Sequence, residues 1–172
     1  MTRLIMVCFL ILCFASLAPA QTCNDHIPAT TPDTRFTDNG DGTITDKGTG
    51  LMWKKCIEGL SGFDCATGTA GEFTWKEALA QPGVVNNGGG FAGYTDWRLP
   101  NFKELTSIVE RKCYDPAINL TFFPNTPSSY VWSGSAGADS SYYAWLVGFS
   151  NGSSDYFGRN YYGRVRLVRG GQ

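Results

Sequence analysis

The sequence contains a single histidine, His26, and so has little of the side chain that most often acts as a general base at neutral pH. Serine and cysteine nucleophiles usually need such a base within hydrogen-bonding reach. His26 lies within residues 21–34, a polar segment with Pro28 and Pro32 that we expect to form an extended N-terminal lead-in. The carboxylates are scattered, mostly at turn and helix-cap positions. We therefore expect no catalytic residues and no enzymatic activity.

An excess of charge is also missing, since 14 lysines and arginines face 15 aspartates and glutamates. Proteins that bind nucleic acids or anionic membranes rely on a strong positive field. The formal net charge of −1 provides no such field. We therefore expect no nucleic-acid partner.

Long apolar runs are missing beyond the N-terminus. The run at residues 4–17 holds 14 residues, fewer than the roughly 20 that a membrane-spanning helix needs. Arg3 precedes this run and Ala18-Pro19-Ala20 follows it, as in a cleaved secretory signal peptide. We predict a signal peptide at residues 1–20, no transmembrane segment, and export to the periplasm or beyond. An uncleaved membrane anchor is the alternative. Removal of Arg3 changes the net charge to −2.

Cysteines remain in even number after the predicted signal peptide: Cys23, Cys56, Cys65 and Cys113. This pattern indicates disulfides formed in an oxidising compartment. Four cysteines allow three pairings, of which we favour the short loop Cys56–Cys65, with Cys23–Cys113 tying the N-terminus to the middle of the chain. A four-cysteine zinc site is the alternative, but the paired spacing of such sites is missing. We therefore expect no metal and no cofactor.

Turn signals predict an N-terminal hairpin. Asn39-Gly40-Asp41-Gly42 lies between Phe36 and Thr43-Ile44-Thr45, and glycine supplies the positive φ angles that tight turns need. Leu51-Met52-Trp53 follows a second turn and predicts a buried strand. After Pro127 the pattern again favours strands, which we place at residues 130–132, 142–149, 153–157 and 164–168.

Two capping boxes predict two short helices. Thr74-Trp75-Lys76-Glu77 begins the first helix, which we expect to end near Ala80 because Pro82-Gly83 follows. Residues 101–104 begin the second helix, which we expect to reach about Arg111. Helices in the middle of the chain, with strands on both sides, predict an α+β fold rather than alternating βαβ units.

Long motifs in the same order resemble one family of bacterial domains. The segments that carry the resemblance are Arg35-Phe36, residues 38–46, residues 49–53, residues 93–101, residues 116–119, Phe123-Pro124, residues 132–135, Ala144-Trp145 and residues 165–169. Over residues 35–170 the chain resembles the Lcl C-terminal domain family, once called DUF1566.

The resemblance implies a single domain with a C-type-lectin-like fold, related in shape to the formylglycine-generating enzymes. Together with the pattern above, it predicts an α+β domain with two short helices and a twisted, mostly antiparallel sheet, stapled by disulfides. The family's namesake is a bacterial adhesin whose C-terminal domain binds sulfated glycosaminoglycans. The resemblance therefore implies adhesion and carbohydrate binding, although a fold alone does not define a function.

A calcium site is a further hypothesis for the turn at residues 39–42, which is similar to the start of an EF-hand loop. However, Thr37 occupies the position of the first ligand and Gly48 that of the final glutamate, and neither carries a carboxylate. Gln81-Pro82-Gly83 also lacks the acidic third residue of the calcium motif of C-type lectins. We therefore expect a hairpin turn and no calcium-dependent sugar binding.

Five tryptophans suggest sugar stacking, but a large ring at a strand or helix position usually buries roughly 150 Å² or more. We place Trp53, Trp97 and Trp132 in the core. We expect Trp97 and Arg98, with Asp96, to brace the loop before the second helix.

The chain between residues 139 and 162 is rich in Tyr, Ser, Asn and Asp, a mixture typical of adaptable binding surfaces. Arginines nearby suit sulfate or carboxylate groups. Strand alternation places Arg164 and Arg166 on one face, and Val168 ends that basic stripe. A solvated polar meander is the alternative interpretation. The predicted ligand-binding residues are Tyr142, Tyr143, Tyr156, Arg159, Tyr161, Tyr162 and Arg164.

Three functional hypotheses remain. The first is a secreted, non-enzymatic, glycan-binding adhesin for a sulfated polysaccharide. The second is a protein-interaction or assembly module with a partner in the cell envelope. The third is a carboxylate-based hydrolase.

Overall fold

The computed structural model of the protein describes residues 20–138 and 140–170. The predicted signal peptide, residues 1–20, lies outside the described residues apart from Ala20. The helices in residues 20–138 and 140–170 lack the length and apolar composition of a membrane span.

The fold is α+β, as predicted, and its strands pair in an antiparallel manner within four sheets of two to four strands. The lectin-like topology that the resemblance implies stays a prediction. The helices are α1 (Trp75–Asn87) and α2 (Phe102–Ser107), and a 3-10 helix covers Asp33–Arg35. The strands are β1 (Thr22–Cys23), β2 (Phe36–Asp38), β3 (Thr43–Asp46), β4 (Leu51–Lys54), β5 (Leu60–Ser61), β6 (Thr67–Gly68), β7 (Cys113–Tyr114), β8 (Tyr130–Ala136), β9 (Tyr143–Gly148), β10 (Ser153–Gly158) and β11 (Val168–Arg169).

The predicted N-terminal hairpin is confirmed and forms part of a four-stranded sheet with the order β11–β4–β3–β2. In its turn, Gly40 and Gly42 have φ angles of 78° and 87°, which glycine adopts without steric cost. At the other end of the hairpin, Arg35 forms an ion pair with the buried Asp46. The predicted strand at residues 51–53 is confirmed as β4.

The second large sheet has three strands in the order β10–β9–β8. These strands confirm the three strands that the sequence predicted between residues 130 and 157. β9 and β10 pair residue by residue, and their register places Tyr156 directly opposite Trp145.

The predicted strand at residues 164–168 is wrong. Arg164 forms a single parallel bridge with Val131 of β8, and the chain then leaves the three-stranded sheet. Strand pairing resumes only at β11, which pairs with β4 in the other large sheet. Residues 163–169 therefore cross between the two large sheets, and we call them the crossing segment.

Hydrogen bonds from an early part of the chain determine this path. The carbonyl of Val165 accepts the N–H of Glu58 at 2.9 Å, and the carbonyl of Leu167 accepts the N–H of Lys54 at 3.0 Å. The side chains of Val165 and Leu167 are buried in the core. Alternation within residues 164–168 could not reveal these partners, because they lie far away in the sequence.

Arg166, in the middle of the crossing segment, is fully buried. Its guanidinium donates hydrogen bonds to the carbonyls of Lys54 and Lys55 and to the hydroxyl of Thr126. Burial lowers the pKa of Arg166 to about 9, and the Glu58 carboxylate opposes that change. Arg166 therefore keeps its charge at neutral pH.

Helix α1 begins at the predicted capping box of residues 74–77 but does not end near Ala80. It continues through Pro82 for a total of 13 residues. Proline removes one backbone hydrogen bond from a helix. The last turn is fixed by Asn86, whose side-chain amide makes two hydrogen bonds with the backbone of Trp97, at 2.8 and 3.1 Å.

Helix α2 also begins at its predicted capping box, residues 101–104, but it is shorter than predicted. It ends at Ser107 rather than near Arg111. Val109 is buried and forms a bridge with Ile118, so the chain leaves the helix in order to pack in the core.

The core has two parts. One lies between the four-stranded sheet and α2 and contains Trp53. The other lies between α1 and the three-stranded sheet and contains Trp97 and Trp132. All three tryptophans are buried, which confirms the prediction that they are core residues.

The loop before α2 is braced by ion pairs. Arg98 donates two hydrogen bonds of 2.7 Å to the carboxylate of Glu104 in α2. Asp96 pairs with Arg169 of β11 at 2.7 Å. The expected bracing role of Asp96, Trp97 and Arg98 therefore agrees with their contacts.

Both predicted disulfides are present. Cys23–Cys113 joins β1 to β7, where the two cysteines are direct strand partners. Cys56–Cys65 closes the loop that contains β5. Since all four cysteines are paired, the alternative of a four-cysteine zinc site is wrong.

We expect the longer disulfide to contribute more stability than the shorter one. The two cysteine pairs are separated by 90 and 9 residues, and the chain-entropy relation gives losses of about 4.6 and about 2.7 kcal/mol when they are removed. Urea unfolding of Cys23→Ser/Cys113→Ser and of Cys56→Ser/Cys65→Ser measures both losses. A larger loss for the second variant would contradict this ranking.

Replacement of Arg166 by methionine should lower the free energy of unfolding by about 3 kcal/mol, because buried carbonyls lose their charged donor. Arg111→Met is the matched control, since Arg111 is exposed, and its effect should stay within about 0.5 kcal/mol. Urea unfolding of both variants tests this expectation. Equal stability of the two variants would show that the buried guanidinium is dispensable.

The lead-in is attached to the domain through Glu110. The carboxylate of Glu110 accepts the backbone N–H groups of Thr30, Thr31 and Lys112, at 2.8 to 3.0 Å. Burial alone would raise the pKa of Glu110, but these backbone donors and the Thr31 hydroxyl outweigh it and hold the pKa below its usual value.

A lowered carboxylate pKa gives stability that is present above the unfolded-state pKa and is lost as the pH falls through the folded-state value. We therefore expect Glu110→Gln to have a lower melting temperature than the unchanged protein at pH 7, with the gap narrowing toward pH 3. Thermal unfolding at both pH values measures the gap. A gap that is constant or wider at pH 3 would rule out this contribution.

Candidate ligand-binding surface

The register of β9 and β10 sorts their side chains onto two faces. Tyr143, Trp145 and Tyr156 share one face, because Tyr156 lies opposite Trp145 and successive strand residues alternate. Ala144 and Leu146, on the other face, are buried in the core. One face of this sheet thus carries aromatic side chains toward the surface.

Tyr143, Trp145 and Tyr156 form a continuous row with Tyr142, which precedes β9, and with Phe102 of α2; we call these five aromatic side chains the aromatic strip. Ring centroids lie 5.0 Å apart from Tyr142 to Tyr143 and 5.3 Å apart from Tyr143 to Tyr156. The row continues from Tyr156 to Trp145 at 5.3 Å and from Trp145 to Phe102 at 4.8 Å. The two tyrosine–tyrosine contacts are edge-to-face, a favourable geometry for aromatic pairs.

The three tyrosines of the strip are exposed: Tyr142 by 56%, Tyr143 by 36% and Tyr156 by 47%. Trp145 and Phe102 are half-buried. Phe102 is the first residue of α2, and its N–H donates to the hydroxyl of Ser135 at 3.0 Å. The helix therefore supports one end of the strip and leaves the tyrosines at the other end accessible.

Sequence reasoning missed two members of the strip. Trp145 had a usable signal, because it lies two residues after Tyr143 in the same strand and so shares its face. Phe102 had no such signal, since it reaches the strip only through the packing of α2 on the sheet.

Tyr161 and Tyr162 do not belong to the strip. They line a groove of about 520 Å³ with Tyr142, Phe157 and Asn160. The ring of Tyr161 stacks on that of Phe157 at 4.8 Å. The hydroxyl of Tyr142 donates to the side-chain oxygen of Asn160 at 3.4 Å, so Tyr142 connects the strip with this groove.

Beneath the groove, Tyr130 stays uncharged over a wide pH range. Burial raises the pKa of its hydroxyl, and the nearby Asp155 carboxylate raises it further. The neutral hydroxyl donates to that carboxylate at 3.2 Å. The ring of Tyr130 also contacts Tyr161 with a centroid distance of 6.0 Å.

Arg159 adds a cation at the end of the strip. Its guanidinium lies 4.3 Å from the ring centroid of Trp75, and its Nε donates to the carbonyl of Tyr143 at 3.3 Å. Trp75 in turn donates its backbone N–H to the carbonyl of Arg159. The stacked guanidinium is thus fixed between α1 and β9, close to Tyr143.

The predicted basic stripe of Arg164 and Arg166 is wrong. Arg164 donates to the carbonyl of Ala70 at 2.6 Å and pairs with Glu72 at 3.0 Å, while Arg166 is buried. The stripe fails because the chain leaves the sheet after Arg164, so strand alternation no longer applies. Arg164 lies near Tyr161 and Tyr162, but its charge is balanced by Glu72.

The carboxylates of the turn considered as a calcium site form hydrogen bonds and an ion pair with other residues of the protein. Asp41 accepts the N–H and the hydroxyl of Thr43, and Asp38 accepts the N–H of Gly40 and pairs with Lys55. In residues 20–138 and 140–170, no group of three or more His, Cys, Asp or Glu side chains is placed to hold a metal ion.

These features define the class of the protein: a disulfide-bonded α+β domain with two large antiparallel sheets and an exposed aromatic surface. The family model of the Lcl C-terminal domain matches residues 42–169, about three quarters of the chain. The chain therefore belongs to the Lcl C-terminal domain family, as the resemblance predicted. No curated protein matches the chain.

Proposed function

We propose that the protein is an exported, non-enzymatic binding domain that takes a glycan chain along its aromatic strip. The observation that carries this proposal is the row of exposed tyrosines that continues into Trp145 and Phe102. The two disulfides support export, since such bonds persist in oxidising compartments.

The chemistry of the strip suits a sugar chain. Each ring offers a flat apolar surface to the C–H groups of a sugar, and tyrosine holds this surface at low cost in conformational entropy. The phenolic hydroxyls and Asn160 supply hydrogen bonds beside the rings. A row of rings suits an extended ligand better than a compact one.

The charges near the strip favour a neutral or sparsely charged glycan over a heavily sulfated one. Of the predicted arginine cluster, Arg166 is buried and Arg164 is paired with Glu72. Arg159 remains at the end of the strip, stacked on Trp75. Recognition of a polysulfated chain relies on several guanidinium forks, so one such group suits a single sulfate or carboxylate per ligand.

A protein-interaction module in the cell envelope is the second candidate. The observation that favours it is the combination of Tyr, Trp and Arg on one surface, since these residues are enriched at protein interfaces. A protein partner would need more contact area than the strip alone, and the adjoining groove at Tyr161 and Tyr162 would supply it.

The proposal predicts that Tyr143→Ala/Tyr156→Ala weakens glycan binding at least tenfold, because loss of an anchoring ring at an interface commonly costs more than about 1.4 kcal/mol. Tyr114→Ala is the matched control, since Tyr114 is half-exposed but lies on β7 outside the strip. A glycan array with the oxidised domain, at two salt concentrations, identifies the ligand for these titrations.

Binding to neutral glycans that hardly responds to salt, and that depends on the two tyrosines, is the expected result. Binding restricted to sulfated glycans, lost at high salt and with Arg159→Ala, would replace this proposal with the polysulfated ligand. A blank array, with an envelope protein captured in a tyrosine-dependent manner, would favour the second candidate.

A further inference from the structure

We infer that the protein has a second binding site, for a single neutral sugar residue, in a cleft beside the N-terminal hairpin. The cleft has a volume of about 340 Å³. We call it the lysine cleft, after Lys54 and Lys55 at its base; its other polar and aromatic lining residues are Asp38, Asp41, Ser61, Phe63 and Phe91. None of these residues belongs to the aromatic strip, so this inference does not rest on the proposed function.

The walls of the cleft are fixed by covalent bonds and hydrogen bonds. One wall is the loop closed by the Cys56–Cys65 disulfide, and β5 in this loop pairs with β6, which follows it. Asn125 donates to the carbonyl of Asp64 in this loop at 2.8 Å. The cleft is therefore formed before any ligand arrives, which reduces the entropy lost on binding.

The opposite wall is the hairpin turn, against which the ring of Phe91 packs. A Cβ atom at Gly42 would lie 2.8 Å from Cζ of Phe91, and Gly42 has a φ angle of +87°. Glycine is thus required here both by the backbone conformation and by the approach of the ring. This contact holds one aromatic ring at the edge of the cleft.

Two lysines are held at the base of the cleft by carboxylates. Lys54 pairs with Glu58 and Lys55 pairs with Asp38, each at 2.7 Å. The side chain of Lys55 is only 4% exposed. Burial would raise the pKa of Asp38, but Lys55 and the N–H of Gly40 hold it below its usual value, so Asp38 is a carboxylate at neutral pH.

Lys55 has hydrogen-bonding capacity beyond this pair. An ammonium group has three N–H donors, and within the described part of the chain its side-chain hydrogen bond goes to Asp38. The ring centroid of Phe63 lies 3.9 Å from the same nitrogen. A ligand oxygen in the cleft would give this buried ammonium a further acceptor.

The balance of charge excludes simple ions as the preferred ligand. An anion would meet the carboxylates of Asp38 and Asp41, and a cation would meet the ammonium groups of Lys54 and Lys55. A sugar hydroxyl both donates and accepts, so it can bond to carboxylates, ammonium groups and the hydroxyl of Ser61 in one site. The mixed polar lining therefore suits a polyhydroxylated, uncharged molecule.

The aromatic rings complete the match to a sugar. Phe63 is 82% exposed, although it stands beside the cleft and over Lys55. Phe91 stands on the other side, 4.5 Å from Nζ of Lys54. An exposed ring at a cleft gains stability when it covers the apolar face of a ligand. The volume lies at the small end of the range for small-molecule sites, about 300–1,000 Å³, as a single sugar residue requires.

The test uses the ¹⁵N-labelled, oxidised domain titrated with glucose, galactose, mannose and N-acetylglucosamine. We expect saturable shifts of the amide signals of Gly40, Gly42, Ser61 and Gly62 with at least one sugar. Phe63→Ala should weaken this binding at least tenfold, and its folding should be unaffected because Phe63 is exposed. Tyr114→Ala, on β7 outside both the cleft and the aromatic strip, is the matched control and should bind the sugar unchanged.

Absence of saturable shifts at these four amides with all four sugars would overturn the inference. Shifts at these amides with sulfate or glucose-6-sulfate, but with no neutral sugar, would show that the cleft binds an anion and would overturn the inference of a neutral sugar. Shifts confined to Tyr143 and Tyr156 would support the proposed function while overturning the second site. Shifts at the cleft that persist when glycans fail to bind the strip would support the second site alone.

Discussion

The buried guanidinium of Arg166 is the interaction on which the rest of the structure depends. It donates to the carbonyls at the end of β4 and to Thr126, and it lies 4.8 Å from the ring centroid of Phe123. Its crossing segment bridges to β8 at one end and pairs with β4 at the other. A buried charge needs polar partners, and three hydrogen bonds from the two terminal nitrogens of the guanidinium supply them here. The same contacts fix the backbone of Lys54 and Lys55, and the crossing segment that carries Arg166 links the two large sheets.

Charged side chains elsewhere in the fold also form ion pairs and hydrogen bonds that stabilise the structure. Arg35 pairs with Asp46, Arg98 with Glu104 and Arg169 with Asp96, and Glu110 binds the backbone of the lead-in. With a formal net charge of −1, the chain offers little long-range attraction to an ionic ligand. The recognition that we propose therefore relies on aromatic surface and local hydrogen bonds, which respond little to salt. The chain belongs to the Lcl C-terminal domain family, but membership of a family does not by itself define a ligand.

The two proposed sites differ in how the fold supports them. The aromatic strip is built on paired strands, so the spacing of its rings follows from the register of β9 and β10. The lysine cleft is built on a turn and a disulfide-closed loop, so its shape depends on Gly42 and on Cys56–Cys65. A domain with one extended site and one compact site could engage a polysaccharide at two points. Linked binding of this kind raises the overall affinity without any new contact.

The sequence by itself determined the features that depend on neighbouring residues: the hairpin turn, both capping boxes and three strands of the closing region. It also favoured the cysteine pairing and the core tryptophans that the structure shows. It misplaced the end of α1 and the strand at residues 164–168, because Asn86 and Val165 find their partners in distant segments. Five predicted tyrosines are exposed, yet only the tertiary structure divided them between strip and groove and added Phe102. It also decided that Arg166 is buried and that two lysines and two phenylalanines meet in one cleft. Local hydrogen bonds and side-chain alternation are encoded within a few residues, whereas these contacts arise only when the crossing segment and the loops pack together.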